Sequence, residues 1–431
     1  MPIQILPPAG APRVLATAQL CNSLGDGAYY VTSALYFTRV VGLSPTQIGL
    51  ALTVAWAIGS VTGVPLGALA DRKGPRGTAV LLALATGASV ASFLFIRSFA
   101  LFLVAACLYA VAQCGLAAAR QALLAGLVTP GARTGVLAHL QSTLNAGLAV
   151  GAALGGIALH HDTREAYLAV FALDSVSFLL CALVLLRLPA VPPSVGRGKD
   201  EPRLAVLRDR PYAVITALNA VLLLRMPLLS LAIPLWVLER TNAPSWLVSA
   251  LFVLNTLAVM AFQVRMARDV EGPRSATRAV RRSGLVMLAS CAVFAFSAAG
   301  LPVWATVAVL VVGAALQVIA EMQQSAGSWQ ISFDLAPAHQ VGQYQGFFGS
   351  GVPVARTLGP LLLTSLLVVW GVPGWFVLGG IFVGASLATG PAVRWAERSR
   401  AARVRAGDGS GEAYIRPPTT STPRDGYSAH G

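Results

Sequence analysis

Twelve apolar stretches, each long enough to cross a bilayer as a helix, dominate this sequence and leave few alternatives for its fold. A helical span needs about twenty apolar residues. Such runs are predicted at 14–37, 48–70, 78–96, 101–127, 137–159 and 167–188, and again at 213–237, 247–266, 279–299, 303–320, 347–370 and 375–393. Lipid offers the backbone no hydrogen bonds, so segments of this length must satisfy themselves as helices. Of the 431 residues, 56% are hydrophobic and only 11% are charged, whereas a soluble chain carries about a quarter charged residues. The expected fold is an all-α membrane protein of twelve transmembrane helices in two pseudo-symmetric six-helix bundles. The expected organisation is a first bundle over 1–190, a cytoplasmic linker over 191–210, a second bundle over 211–398 and a disordered cytoplasmic tail over 399–431.

The net charge of +14 does not indicate nucleic acid, because the basic residues sit in short loops between apolar segments. Of 31 Lys and Arg, four (Arg39, Arg97, Arg164, Arg240) fall in one set of loops and three (Arg120, Arg225, Arg356) within spans, leaving 24 on the side of the chain ends. That bias predicts both termini in the cytoplasm of a bacterial inner membrane. Trp236, Trp246, Trp304, Trp370 and Trp375 stand at the opposite ends of their spans, where interfacial anchors are expected. The five cysteines lie inside apolar segments with no CxxC pair. The first dozen residues lack a basic region and a cleavage site, so the first helix is expected to be retained.

The two halves repeat. Asp71, Gly74, Pro75 and Arg76 return as Asp269, Gly272, Pro273 and Arg274; Pro130, Arg133 and Gly135 return as Pro337, Gln340 and Gly342. Gly147, Val150, Gly151, Leu154 and Gly155 return as Gly351, Val354, Ala355, Leu358 and Gly359. Three blocks in order at nearly constant offset predict parallel repeats with a cavity between them.

The run Gly67-Ala-Leu-Ala-Asp71-Arg72-Lys-Gly74-Pro-Arg76 resembles the loop signature of the major facilitator superfamily, at the place between second and third spans where that family has it. The resemblance covers the first to the twelfth span. It implies a cytoplasmic gate latch at Gly67, Asp71, Arg72, Gly74 and Arg76, with Asp269 and Arg274 as the repeat. Gly147, Gly151, Gly155 and Gly156 resemble the fifth-helix signature of the antiporter branch, with Ala152 in place of its proline. Small residues at intervals of four also make a flat helix-packing face. The fourth-helix signature of that branch is kept only at Gln113, because Ala110 and Cys114 stand where it has Arg and Gly. Arg120 near the inner end is a potential partner of Asp71 or a snorkelling residue.

Ionisable groups at membrane depth are costly and usually face water or a partner. Asp26, Glu321 and Asp174 are therefore the proton-coupling candidates, with Asp26 first. Asn22, Asp26, Tyr29, Tyr30 and Ser33 share a helical face, as do Gln317, Glu321, Gln324 and Ser328. Asn22, Tyr29, Tyr30, Gln113, Gln141, Asn145, Arg225, Gln317 and Arg356 are the cavity-lining candidates. Arg225 matches Asp26 at an offset of 199 and is expected to share its field, directly or through substrate. Asp174, on a peripheral helix, is expected to serve more as a structural partner. His160, His161 and Asp162 have no second cluster at ligand spacing, so a solvated loop is expected rather than a metal site.

No GxxxxGK[ST] loop is present to supply ATP chemistry. The reading is a secondary active transporter, not an enzyme, without cofactor. It is expected to work as a monomer by alternating access and to export a small cationic, amphipathic or drug-like molecule against protons. The alternative is an uptake permease for a small metabolite; a remote third is a non-transporting membrane receptor or enzyme.

Overall fold

Proline sets where many of these helices begin. The first helical position has no intrahelical acceptor for its N–H, so proline costs nothing there and its fixed φ is already helical. Pro45, Pro75, Pro130 and Pro273 occupy such first-turn positions, and Ser44 with Gln47 completes a capping box ahead of Pro45. The computed structural model describes residues 7–193 and 204–405, and among them every regular element is helical.

The first half comprises α1 (Ala11–Leu35, prolonged by a π turn at Tyr36–Val40), α2 (Pro45–Lys73), α3 (Pro75–Phe93), α4 (Phe99–Leu127), α5 (Pro130–His161) and α6 (Arg164–Leu185). A 3-10 turn at Ala205–Arg208 leads into the second half. There α7 (Arg210–Arg240) is bent through a π turn at Leu228–Ala232, followed by α8 (Trp246–Ala267), α9 (Pro273–Phe296) and α10 (Val303–Asp334). In α11, Val341–Gly349 and Gly351–Leu363 meet at Ser350 and end in a π turn at Thr364–Val369; α12 spans Val372–Arg405. Twelve crossings put both chain ends on one face.

Several boundaries differ from the sequence expectation. α10 continues to Asp334 and α11 starts at Val341. The extra turns are rich in Gln and Ser that are buried in protein rather than lipid, so an apolar window misses them. α12 runs on through 399–405, where the tail was expected to begin. The rest of that tail, and linker positions 194–203, lie outside the described residues.

Each half has its own core. In the first, Tyr36, Phe37, Phe93, Phe102, Phe171 and Phe178 are fully buried. In the second, Trp236 and Trp375 stack edge to face at 5.4 Å, and Phe294 lies 5.1 Å from Trp375. Trp236 donates to Ser297 Oγ at 3.0 Å. These two tryptophans are therefore core residues and not interfacial anchors; Trp246, Trp304 and Trp370 are exposed.

α1 lies against α5 so closely that Gly147, Gly151 and Gly155 have no room for a side chain: it would meet Ser23, Leu24 or Ala28 of α1. Gly156 has open space beside it and is not part of this packing face, a correction to the sequence expectation. It lies one residue, about 100° of helical rotation, past Gly155.

Candidate functional site

The contacts joining the two halves gather toward the face that carries the chain ends. Asp71, at the last turn of α2, accepts from the backbone N–H groups of Gly342 at 2.7 Å and Gln343 at 2.9 Å. Those are orphan donors of the α11 N-terminus, at the positive end of its dipole. Gly67 and Gly63 on α2 let the α11 backbone at Gly342 and Gly346 come into direct contact. On the other flank, Thr134 of α5 donates to Gln330 of α10, and Ser142 reaches the Val259 carbonyl of α8 at 3.5 Å. Arg133 lies 5.5 Å from the Phe333 ring centre. This side is closed.

Of the loop residues singled out with Asp71, Gly74 takes φ 95° at the turn, and Arg76 donates to the Leu186 carbonyl at 2.6 Å. Arg72, Asp269 and Arg274 are exposed. Arg120 does not pair with Asp71; it donates to Gln19 of α1 at 2.5 Å. Asp71 is already held by α11.

Counted at 1.5 Å per residue from that closed face, Asp26 on α1, Arg225 on α7 and Arg356 on α11 all stand about 22 Å deep, near the middle of the membrane. Asn22 donates to Asp26 Oδ2 at 2.5 Å, while Asp26 Oδ1 has no partner among the described residues. Gly25, beside it, leaves the space that Asp174 Oδ1 and Ser177 Oγ of α6 occupy. Asp174 is fully buried and its Oδ2 is also unpaired. Carboxylates of α1 and α6 thus lie on either side of Gly25 inside the first half and feel each other's charge, so Asp174 is closer to Asp26 than a peripheral helix suggests. The charges of Arg120 and Arg356 also reach Asp26.

The polar stripe of α1 divides. Asn22, Asp26 and Tyr29 turn into the first half, and Tyr29 packs 5.5 Å from Phe171, 5.7 Å from Tyr109 and 6.2 Å from Phe93. Tyr29 is an aromatic core residue rather than a cavity wall. Tyr30, one residue on, is 45% exposed. Gln113 donates to Tyr109 at 3.1 Å, and Asn145 to the Gln141 carbonyl of its own helix at 2.9 Å.

Arg225 is bound within the second half, not to Asp26. Its Nη1 meets Glu321 Oε1 at 2.7 Å, Nε donates to Gln324 at 2.8 Å, and Nη2 to Ser325 at 3.0 Å. Asn255 of α8 donates to Glu321 Oε2 at 3.1 Å, and Gln324 donates to Asn219 of α7 at 3.0 Å. A guanidinium that finds a carboxylate and two neutral acceptors in its own bundle has its charge met and three of its five N–H donors engaged there, so it is oriented away from the opposite wall. Gln317, a turn above Glu321, is buried with both amide atoms unpaired.

Arg356 differs. It is exposed, its guanidinium lies 5.7 Å from the ring centre of Trp56 on α2, and its charge reaches the Tyr30 hydroxyl. Trp56, Asn255, Ser325 and Asn219 were missed by sequence reasoning. The signal for Asn255 was one amide in the middle of an apolar span; that for Trp56 was a mid-span aromatic remote from either interface.

Between α5 and α6, Asp162 accepts from Arg39 at 2.5 Å and from Tyr167 at 2.6 Å. The Tyr167 hydroxyl and then the Arg39 charge hold its carboxyl below the usual carboxylate range. Asp162 thus ties the loops opposite the closed face, with His160 and His161 beside it.

The family model described as Major Facilitator Superfamily matches residues 15–327. No curated protein matches the chain. Among solved structures, the human organic anion transporter MFSD10 (TETRAN) superimposes with TM-score 0.69 at 19% identity, over 88% of this chain and 98% of that one. A bacterial homologue of the iron transporter ferroportin, in an outward-facing state, gives 0.68 at 14% identity over 90% and 99%. The proton:xylose symporter XylE gives 0.66 at 15% identity over 87% and 94%.

Proposed function

We propose, starting from the fact that this chain belongs to the major facilitator superfamily, that it is a proton-coupled secondary transporter of a small amphipathic molecule and that Asp26 carries the proton. One observation carries the reading: a carboxylate buried at mid-membrane depth has one oxygen held by Asn22 and the other free. Asp174, across Gly25, is the second carboxylate of this proton site. Glu321 serves instead as the counter-ion of Arg225.

The excess of Lys and Arg on the face with the chain ends makes that face cytoplasmic, in the bacterial inner membrane. The closed side is then the cytoplasmic one and the site faces outward. Alternating access requires the contacts at Asp71, Gly67 and Thr134 to part while the opposite ends of the two halves come together. The cycle needs one copy of the chain.

The direction of coupling follows from what the substrate does to Asp26. A substrate that displaces the proton gives exchange and export of a drug-like molecule. A substrate that binds together with the proton gives uptake. The guanidinium groups of Arg120 and Arg356 around Asp26 favour this second reading for any substrate carrying negative charge.

The test is flux in inverted membrane vesicles with an imposed pH gradient, using neutral, cationic and anionic amphipathic dyes. Gradient-dependent flux that is lost in Asp26→Asn is expected. Flux that ignores the gradient and survives Asp26→Asn overturns the proton reading.

A further inference from the structure

Three arginines stand at membrane depth, and their charges are not equally satisfied. Arg225 is neutralised by Glu321. Arg120 binds the neutral amide of Gln19. Arg356 has no carboxylate within ion-pair distance among the described residues. Asp26 is the carboxylate that feels both Arg120 and Arg356, and its hydrogen bond is with Asn22, not with either of them. Asp174 lies behind Asp26 on the α6 side.

A guanidinium kept exposed at this depth without an anion is costly, and such residues usually face a water-filled path or a ligand. Its surroundings are those of a ligand site. Trp56 lies under it, the exposed Tyr30 is within reach of its charge, and the three come from α2, α1 and α11, on both sides of the gap between the halves. Guanidinium presents a planar fork of donors that matches a carboxylate or sulfonate with two parallel hydrogen bonds. Trp and Tyr rings supply flat apolar contact with a polar tip.

We propose that Arg356, with Trp56 and Tyr30, forms the anion-binding end of the substrate site, so that the substrate class is an organic anion with a flat apolar body. This deepens the proposed transport reading and rests on it for the use of the site. It also replaces the cationic option in the sequence expectation with an anionic one and keeps the amphipathic option. An anion held at Arg356 and a proton held at Asp26 reinforce one another, since neutralising Asp26 leaves the arginine field to the ligand.

The test uses purified full-length protein and three matched probes: 1-naphthoate, 1-naphthamide and 1-naphthylmethylammonium, with naphthalene-1-sulfonate as a second anion. Binding is followed by thermal shift and by tryptophan quenching. The anions are expected to bind about tenfold or more tightly than the amide, as hydrogen bonds to a charged group imply. Arg356→Gln is expected to erase that preference and Arg356→Lys to keep part of it, with both variants eluting as folded protein. Asp26→Asn is expected to keep or tighten anion binding. Equal or tighter binding of the ammonium probe overturns the proposal. So does an anion preference that survives Arg356→Gln, or the lack of any shift with both anions at millimolar concentration. Charge preference that persists while vesicle flux ignores the pH gradient removes the proton reading alone.

Discussion

The contact between Asp71 and the α11 N-terminus makes a quantitative prediction about the closed face. Asp71→Asn keeps the shape and one acceptor oxygen but removes the charge. Hydrogen bonds to a charged group are worth about 1.5–3 kcal/mol each, against about 0.5–1.5 for neutral ones. Two such bonds are at stake, at 2.7 and 2.9 Å. Part of the gain is offset by burying the carboxylate, which is only 9% exposed, and the amide escapes most of that cost. The net loss of closed-state stability is about 1–2 kcal/mol, a rise of roughly 5–30-fold in the open population. A cysteine at Ala138, in a background without the five native cysteines, reads this directly. Ala138 is on α5, fully buried, and packs with the core of the second half, so a bulky thiol reagent reaches it only when the halves part. Its alkylation rate is expected to rise by that factor in Asp71→Asn. An unchanged or slower rate would refute the claim that these two hydrogen bonds hold the face shut.

Two further outcomes test the packing and the buried ion pair. Arg225→Met alone leaves the largely shielded Glu321 without its counter-charge and is expected to cost up to about 3 kcal/mol; Arg225→Met with Glu321→Leu is expected to recover most of that loss. Thermal unfolding in detergent checks this, and additive losses would contradict it. Gly151→Ala drives a methyl into the α1 backbone and is expected to cost about 1–3 kcal/mol, whereas Gly156→Ala, facing open space, is expected to be neutral or to gain up to about 1 kcal/mol through helix propensity. The same unfolding assay reads both, and a matching sign for the two would show that the packing face is misassigned.

The sequence carried the crossings because apolar length is a local property that each span displays by itself. Ten of the helices are long and apolar enough by composition; α1 and α11 are not. α1 carries the polar stripe around Asp26, and α11 is broken into shorter pieces at Ser350 and by a π turn, so one polar crossing and one interrupted crossing bear the candidate site. What local pattern could not supply was the identity of the facing helix. A stripe at spacings of three and four says that one face is polar, not whether it meets a cavity or a neighbour. Tyr29 and Tyr30 ended in different environments for that reason. The partner of Arg225 is 96 positions away on α10, and the repeat pointed instead to its pseudo-symmetric mate, Asp26. Trp236 and Trp375 stand at the ends of spans, as membrane anchors do, but the rings turn inward to each other. Depth was legible; azimuth was not.

The repeat also fails at one position that explains why the closed face is uneven. Asp71 and Asp269 are equivalent in sequence, yet one caps α11 and the other is exposed and unbonded among the described residues. At the same offset of 198, the counterpart of Gly67 is Arg265. Gly67 lets the backbone of α11 touch that of α2, which is what brings the α11 N–H groups within reach of Asp71. Arg265 is exposed, and Gly135, the counterpart of Gly342, has nothing within contact distance, so no backbone-to-backbone contact of that kind forms there. The α5 flank is therefore held by separate side-chain contacts, Thr134 with Gln330 and Ser142 with the Val259 carbonyl, which can yield one at a time. The α2–α11 flank is a backbone contact clamped by a charge, and it must release as a unit. Opening of this face is thus gated on one flank and compliant on the other, although both flanks descend from the same repeated motif.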